Sequence, residues 1–337
     1  MRSCPKLPRR SLLKTLAATG FLPALMPFSR VLGQTNQTSL ILLGTQGGPN
    51  FNLQRGETAS LLVVEGIPYL LDCGYGTFRA LLEAGINFLT LPSIFLTHLH
   101  DDHVADLPAL LSHQWTQGRV DATTVYGPFG TDALVAAALQ FTSANADIRF
   151  IDEQRSLRPA EMISGKVIPA TQTVNLAYED ERVRVSTIEN THFPAWARAQ
   201  MPYRALSYRF DTVDRSVVFS GDTTYSGNLV ALARGADVFV CETIDLATTR
   251  EWFDRASAGN EGDLYQDARE GIWQHIIETH ASTEQAGRMA AEAGVKTLVL
   301  NHVLPGALMD VPESAYLAGI RRYFQGEVIV GKDGQVI

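Results

Sequence analysis

Thr97-His98-Leu99-His100-Asp101-Asp102-His103 is the stretch on which the reading of this 337-residue chain turns. The apolar Ser93–Thr97 before it predicts a strand and Val104–Gln114 after it a helix, so the histidines fall where a strand gives way to a helix. Residues two apart leaving a strand point to the same side, which pairs His98 with His100. Asp102 and His103, at the start of the expected helix, face the same cavity. Three imidazoles and a carboxylate within six residues combine neutral nitrogen donors with an anionic oxygen, the mixture that a pair of borderline Lewis-acidic ions takes. The plain alternative is that Asp101 or Asp102 caps the helix and the histidines are ordinary surface residues. The H-x-H-x-D-H spacing directly behind a strand weighs against it.

Outward from this loop the chain alternates apolar, β-rich runs with helical patterns. Ser39–Leu43, Ser60–Val64 and Tyr69–Leu71 read as strands, with a helix over Thr77–Ala84. A second set follows at Arg182–Ile188, Leu206–Phe210, Ser216–Ser220, Val238–Cys241 and Thr297–Leu300. Several are almost wholly apolar, as strands covered on both faces are. Helices are expected over Thr131–Gln140, Asn228–Arg234 and Glu284–Ala293, the last with a capping box of Ser282 and Gln285 and with Gly294 past its end. Two β-rich halves with helices outside predict an α/β four-layer αββα sandwich. The mixed segment Ile244–Thr279 is too long for a turn and reads as a lid over a site.

Residues 1–33 read apart from this pattern. Pro8-Arg9-Arg10-Ser11-Leu12-Leu13-Lys14 followed by the mildly apolar Thr15–Phe28 is similar to a twin-arginine secretion signal, with Val31-Leu32-Gly33 as a cleavage point. The apolar run is shorter than the roughly 20 residues of a spanning helix, so no membrane anchor is expected after cleavage. Residues 34–337 then form one domain, and the expected location is periplasmic. Cleavage takes away six of the 28 basic side chains and none of the 36 acidic ones, carrying the net charge from −8 to −14. Such a surface repels polyanions and argues against a nucleic-acid partner. Of the cysteines outside the signal, Cys73 and Cys241 end apolar runs and read as inert core thiols.

The whole pattern resembles the metallo-β-lactamase superfamily, and within it the ribonuclease Z and arylsulfatase-like branch. The resemblance rests on the 97–103 stretch and four further segments: Leu43-Gly44-Thr45-Gln46-Gly47-Gly48, Leu70-Leu71-Asp72-Cys73-Gly74-Tyr75-Gly76-Thr77, Phe219-Ser220-Gly221-Asp222-Thr223 and Val299-Leu300-Asn301-His302. It implies one zinc held by His98, His100, His192 and Asp222 and another held by Asp102, His103, Asp222 and His302, with Mn2+ or Fe2+ as substitutes. Asp222 and His302 each follow an apolar strand, which sets both at one edge of the sandwich. Read alone, Asp222 also suits an Asx-turn, and His192 and His302 suit structural histidines.

Two ions of this kind lower the pKa of a bridging water and clamp an ester oxygen, so the resemblance implies hydrolysis by a metal-bridging hydroxide. Asp102 would then be both ligand and orienter of the nucleophile. His280, in Thr279-His280-Ala281-Ser282, is expected to protonate the leaving group, with a capping or core role as its alternative. Glu242 matches the glutamate of a His-Glu-Ala-Thr-like signature in which Cys241 replaces the histidine, and orienting a ligand imidazole is as good a reading as a direct role. Asp72 carries the same two options, while His113 and His275 read as ordinary helix or loop residues. The expected enzyme is an exported ester hydrolase acting on a small-molecule phosphodiester or aryl sulfate, and a homodimer is left open. A zinc lactonase or β-lactamase-type hydrolase is the alternative, disfavoured by a carboxylate bridging both ions. A metal-bound binding protein without turnover is the alternative from another class. Di-iron redox proteins usually carry a carboxylate where His100 stands.

Overall fold

The computed structural model describes residues 37–257 and 264–337. The export signal expected at residues 1–33, and residues 258–263 of the expected lid, lie outside the described residues. Among the described residues, no helix is long and apolar enough to cross a membrane.

The strands form two sheets. The first runs in sequence order through β1 (Ser39–Gly44), β2 (Ala59–Val64), β3 (Ile67–Leu71), β4 (Ser93–Phe95), β5 (Thr123–Gly127) and β6 (Ile163–Val167). The second contains β7 (Asn175–Glu179), β8 (Arg184–Glu189), β9 (Leu206–Asp211), β10 (Ser216–Phe219), β11 (Val238–Ile244), β12 (Thr297–Leu304) and β13 (Glu327–Val330), again neighbour by neighbour. Each sheet begins as an antiparallel meander and ends parallel: the switch falls at β3–β4 in the first and β10–β11 in the second. Parallel neighbours require crossovers, and helices supply them. Thr77–Glu83 and Leu107–Thr116 serve the first sheet, and Gly227–Ala233, Thr283–Ala293 and Glu313–Ile320 the second.

Side-chain alternation along the strands builds the four layers expected from the sequence. Leu40 and Leu42 of β1, Tyr69 and Leu71 of β3, and Phe95 of β4 meet Phe210, Val217, Phe219, Val238 and Val240 from the opposite sheet in the central core. The intervening Ile41, Leu43, Leu70 and Ile94 turn outward onto Leu107, Leu110 and Trp115. On the far side, Val218, Phe239 and Leu300 pack under Leu229, Met289 and Ile320. This period of two is why both sheets read as nearly continuous apolar runs.

Four strands were not anticipated: β5, β6, β7 and β13. The edge strands β6 and β7 are largely exposed or half-buried, so they lack an apolar run. The helix expected from Val104 begins instead at Leu107, with Pro108 in its first turn, where the missing N–H costs nothing. Residues 101–103 form a single 3-10 turn before it. Asp106 lies between the two, and its carboxylate accepts the backbone N–H groups of Gly76 (3.0 Å) and Phe78 (3.0 Å) at the start of the Thr77–Glu83 helix.

Candidate metal centre

Six chain segments deliver polar side chains to one edge of the sandwich: four just beyond the ends of β3, β4, β8 and β10, and two from within the last rungs of the ladder between β11 and β12. Buried there without hydrogen-bonding partners of their own, such groups would be costly. Each local fold is built to hold its donor. Two residues beyond β4, the backbone N–H of Thr97 donates to Asp72 (2.8 Å), which itself follows β3 with φ 58°. Cys73 N–H donates to the His103 carbonyl (2.7 Å), tying the strand end to the histidine loop. Asp222 follows β10 through Gly221 at φ 57°, where a Cβ would stand 2.9 Å from both the Leu206 carbonyl and the Thr97 Cβ. Gly48 packs so closely on Asp102 that a Cβ would lie 2.3 Å from its carboxylate, while the Gly48 N–H donates to that carboxylate at 3.1 Å.

His302 has a less expected setting. β12 does not stop at Leu300 but runs on to Leu304, and His302 is the extra residue of a bulge: Glu242 pairs with Asn301 and Thr243 with Val303. Its φ of 44° lies in the left-handed region, a conformation His adopts more readily than most side chains. The bulge turns the ring out of the ladder and into the site.

The ligands inferred from the sequence form two adjoining groups, and Asp222 and His302 share a third with Glu242 and His280. His98, His100 and His192 each offer a nitrogen, and these nitrogens lie within 4.8 Å of one another. Asp102, His103, Asp222 and His302 offer two carboxylate oxygens and two nitrogens within the same distance of one another. Asp222 stands between the groups: one oxygen is 3.3 Å from His103 Nε2, the other 3.3 Å from His302 Nε2 and 3.8 Å from His98 Nε2. The chain thus brings together every ligand inferred from the sequence.

Hydrogen bonds behind the rings set which nitrogen is left free. His192 Nδ1–H donates to the Thr279 carbonyl (3.0 Å) and His103 Nδ1–H to Asp72 (2.9 Å), so Nε2 of each is the nitrogen turned into the site. Asp72 therefore acts behind a ligand. His103 Nε2 and Asp222 Oδ1 are buried without any hydrogen-bond partner. Nitrogen lone pairs and carboxylate oxygens facing one another inside a protein leave an electrostatic deficit that divalent cations fill, so the donor set fits a metal pair.

The electrostatics differ across the site. Burial pushes His98 and His192 well below the ordinary imidazole range and lowers His100 too. His103 and His302 are buried as deeply, yet Asp222 and Asp102 overcome the desolvation, with Asp72 also raising His103 and Glu242 raising His302; His302 is pushed up to about 9. Asp102 and Asp222 resist burial in turn and are held well below the usual carboxylate range by His103 and His302.

Glu242 lies at the back of the site. Its carboxylate accepts the Thr223 N–H, fixing the turn that carries Asp222, and pairs with His280 Nδ1 at 2.8 Å. The His280 ring lies nearly parallel to that of His302, centroids 5.4 Å apart, and reaches the open cleft. Glu242 thus orients His280 rather than meeting a substrate. His275, expected to be an ordinary residue, lines the same cleft, its ring 5.6 Å from that of His280 and 6.2 Å from that of His100. Its signal in the sequence was the i, i+3, i+4 series Ile272, His275, Ile276, which sets it on one helix face. His113 packs instead against Phe78, ring centroids 5.2 Å apart and the planes tilted by 31°. Cys73 and Cys241 are buried free thiols.

A cleft holding adjoining His/Asp clusters suited to metal, on an αββα sandwich, defines a metallo-β-lactamase-fold hydrolase. The chain belongs to the beta-lactamase superfamily: the pattern of the Beta-lactamase superfamily domain matches residues 69–303. A ribonuclease Z from Mycobacterium sp. (strain KMS) is 30% identical over 294 residues, covering 87% of this chain and 93% of that protein. Among solved structures, the metallo-beta-lactamase fold protein YhfI from Bacillus subtilis superposes with a TM-score of 0.60 at 19% identity, over 89% of this chain and 99% of that one. Human tRNase Z, short form, superposes at 0.58 with 21% identity, over 89% and 98%.

Proposed function

We propose that the protein is an exported, zinc-dependent phosphodiesterase acting on small molecules. The observation that carries the reading is the shared position of Asp222 between the His98/His100/His192 and Asp102/His103/His302 donors. Support for the phosphoester bond comes from relatives that are ribonucleases Z. Support for export comes from the twin-arginine pattern at Arg9-Arg10, and support for a small substrate from the acidic balance of the chain.

Bound zinc ions supply Lewis acidity and a nucleophilic water at neutral pH. The chain's own residues do the rest. His98, His100 and His192 would hold one ion, and Asp102, His103 and His302 the other, with Asp222 common to both. His280 faces the cleft and Glu242 raises its pKa against its burial, so in the protonated form this favours it can give a proton to the departing oxygen. Glu242 holds that proton at Nδ1 and leaves Nε2–H for the substrate. Asp102, fixed by Gly48 N–H and His302, keeps its carboxylate ionised beside the reacting centre.

The test is a panel of bis(p-nitrophenyl) phosphate, p-nitrophenyl sulfate, an aryl lactone and a chromogenic cephalosporin, given to zinc-loaded protein before and after chelation. Chelator-sensitive phosphodiester cleavage above the other three is expected. Preference for the sulfate, the lactone or the cephalosporin overturns the bond assignment, and full activity without metal overturns the mechanism.

A further inference from the structure

The cleft in front of the metal ligands encloses about 540 Å3, within the range of small-molecule sites. One wall is the donor edge of the sandwich. The other is a helical hairpin, Leu246–Ser257 and Leu264–Thr279, inserted between β11 and Thr283–Ala293. Phe253, Ile276 and Leu304 are its buried floor, sharing one cluster with Ile244. Trp252 and Ile272 pack on that cluster but remain half-exposed and line the cavity.

Charge in this cleft is one-sided. Among the described residues, no lysine or arginine lines it, whereas Asp101, Asp102 and Asp222 do. The stretch 258–267 contributes no basic residue to the sequence either. The three arginines of the hairpin are committed elsewhere: Arg250 and Arg269 pair with Asp254 at 2.9 and 2.6 Å, and Arg255 pairs with Glu251. A nucleic-acid strand or a diphosphate brings further phosphates, each of which would need a cation beyond the metal pair. Here, among the described residues, a second phosphate meets Asp101, the uncharged side chains of Asn50 and His275, and hydrocarbon, but no lysine or arginine.

We propose that the hairpin forms an apolar subsite beside the metal centre, which takes an aromatic or similarly bulky apolar arm of a substrate carrying a single phosphodiester charge. This deepens the phosphodiesterase reading and rests on it for the charged group. Trp252 and Ile272 supply the surface that ring covers, over the floor of Phe253, Ile276 and Leu304. Burying an aryl ring against such a surface is worth about tenfold or more in affinity.

Calorimetry on the zinc-loaded full chain carrying His280→Ala separates this from the bond assignment, because turnover slowed by about 10²–10⁴-fold leaves binding to be read. Three ligands of equal charge serve: diphenyl phosphate, dimethyl phosphate and a dinucleoside monophosphate. Diphenyl phosphate is expected to bind about tenfold or more tightly than either other ligand. That ratio should fall toward one in Ile272→Asn and in Trp252→Ala, each first checked for an unchanged thermal transition. Two variants are used because Trp252 is half-exposed and tolerates truncation if Ile272→Asn does not fold. Equal affinities, a tighter dinucleoside monophosphate, or a ratio that survives both substitutions overturns the subsite. If bis(p-nitrophenyl) phosphate is not hydrolysed yet the diphenyl preference holds, the bond assignment fails and the subsite stands.

Discussion

The cleft has two walls of opposite character, and the contrast shows how this fold divides its labour. The donor edge is buried, polar and fixed from behind at several points: His103 by Asp72, His280 by Glu242 and His192 by the Thr279 carbonyl. The hairpin wall is apolar, partly exposed and held to the sandwich mainly by one small cluster. Chemistry thus resides where strand ends make geometry rigid, and choice of substrate where a surface insertion can change without disturbing the ligands.

Asp222→Ala should break this contrast most severely, because it removes the carboxylate facing both donor groups. Expected results are loss of at least one bound metal per chain by elemental analysis and a fall in phosphodiesterase activity of roughly 10³-fold or more. Full metal content with near-normal activity would show that the donor edge does not work as a unit. Next comes His280→Ala, expected to lower kcat by about 10²–10⁴-fold while metal content stays full. Glu242→Gln should act in the same direction by shifting the pH profile, since the neutral amide no longer raises His280. A pH profile identical to that of the unaltered protein would assign Glu242 to structure alone.

The two walls were also unequally legible in the sequence. The 98–103 loop packs four donors into six residues, so local spacing sufficed. His192, Asp222 and His302 were placed by family likeness, because nothing in Thr191-His192 or Asn301-His302 says which distant strands converge. The bulge at His302 was hidden for a related reason. Asn301-His302 interrupts an apolar run, which makes the strand look finished at Leu300, although Val303 and Leu304 resume it under cover of the hairpin. The hairpin itself was seen only as a mixed segment. Its apolar face serves the cleft as well as the core, so its pattern is weaker than that of a helix such as Thr283–Ala293, whose one buried face reads clearly.

Within the donor edge, the comparison sharpens between its two halves. Without metal, His302 titrates near 9 and His103 is raised too, whereas His98, His100 and His192 are already neutral at pH 7. Loading metal near neutrality therefore expels protons from the carboxylate-rich half and none from the three-histidine half. Calorimetric titrations at pH 7.5 in buffers of different ionisation enthalpy should show about one proton or more released, and affinity there rising by about tenfold or more per pH unit, flattening above about pH 9. The sign for folding is the reverse. A histidine raised above its ordinary value of 6.5 stabilises the metal-free protein below that pH, and the contribution is lost as pH rises through about 9. Zero proton release at pH 7.5 would remove the distinction between the halves.

The smallest effect belongs to the hairpin's contribution to stability. Trp252 only rests on the Ile244/Phe253/Ile276/Leu304 cluster, while Phe95 is wholly enclosed between the sheets among Tyr126, Tyr208 and Phe210. Phe95→Ala should cost about 3–5 kcal/mol, the range for an aromatic ring deleted from a closed core. Trp252→Ala leaves a gap already open to the cleft, so no closed cavity forms and only part of the ring's burial is lost. About 1 kcal/mol is expected, a shift of roughly 2 °C in the metal-free thermal midpoint for a domain of this size. A loss at Trp252 as large as that at Phe95 would mean that the hairpin is part of the sandwich core, and the division between a rigid donor edge and a replaceable apolar wall would not hold.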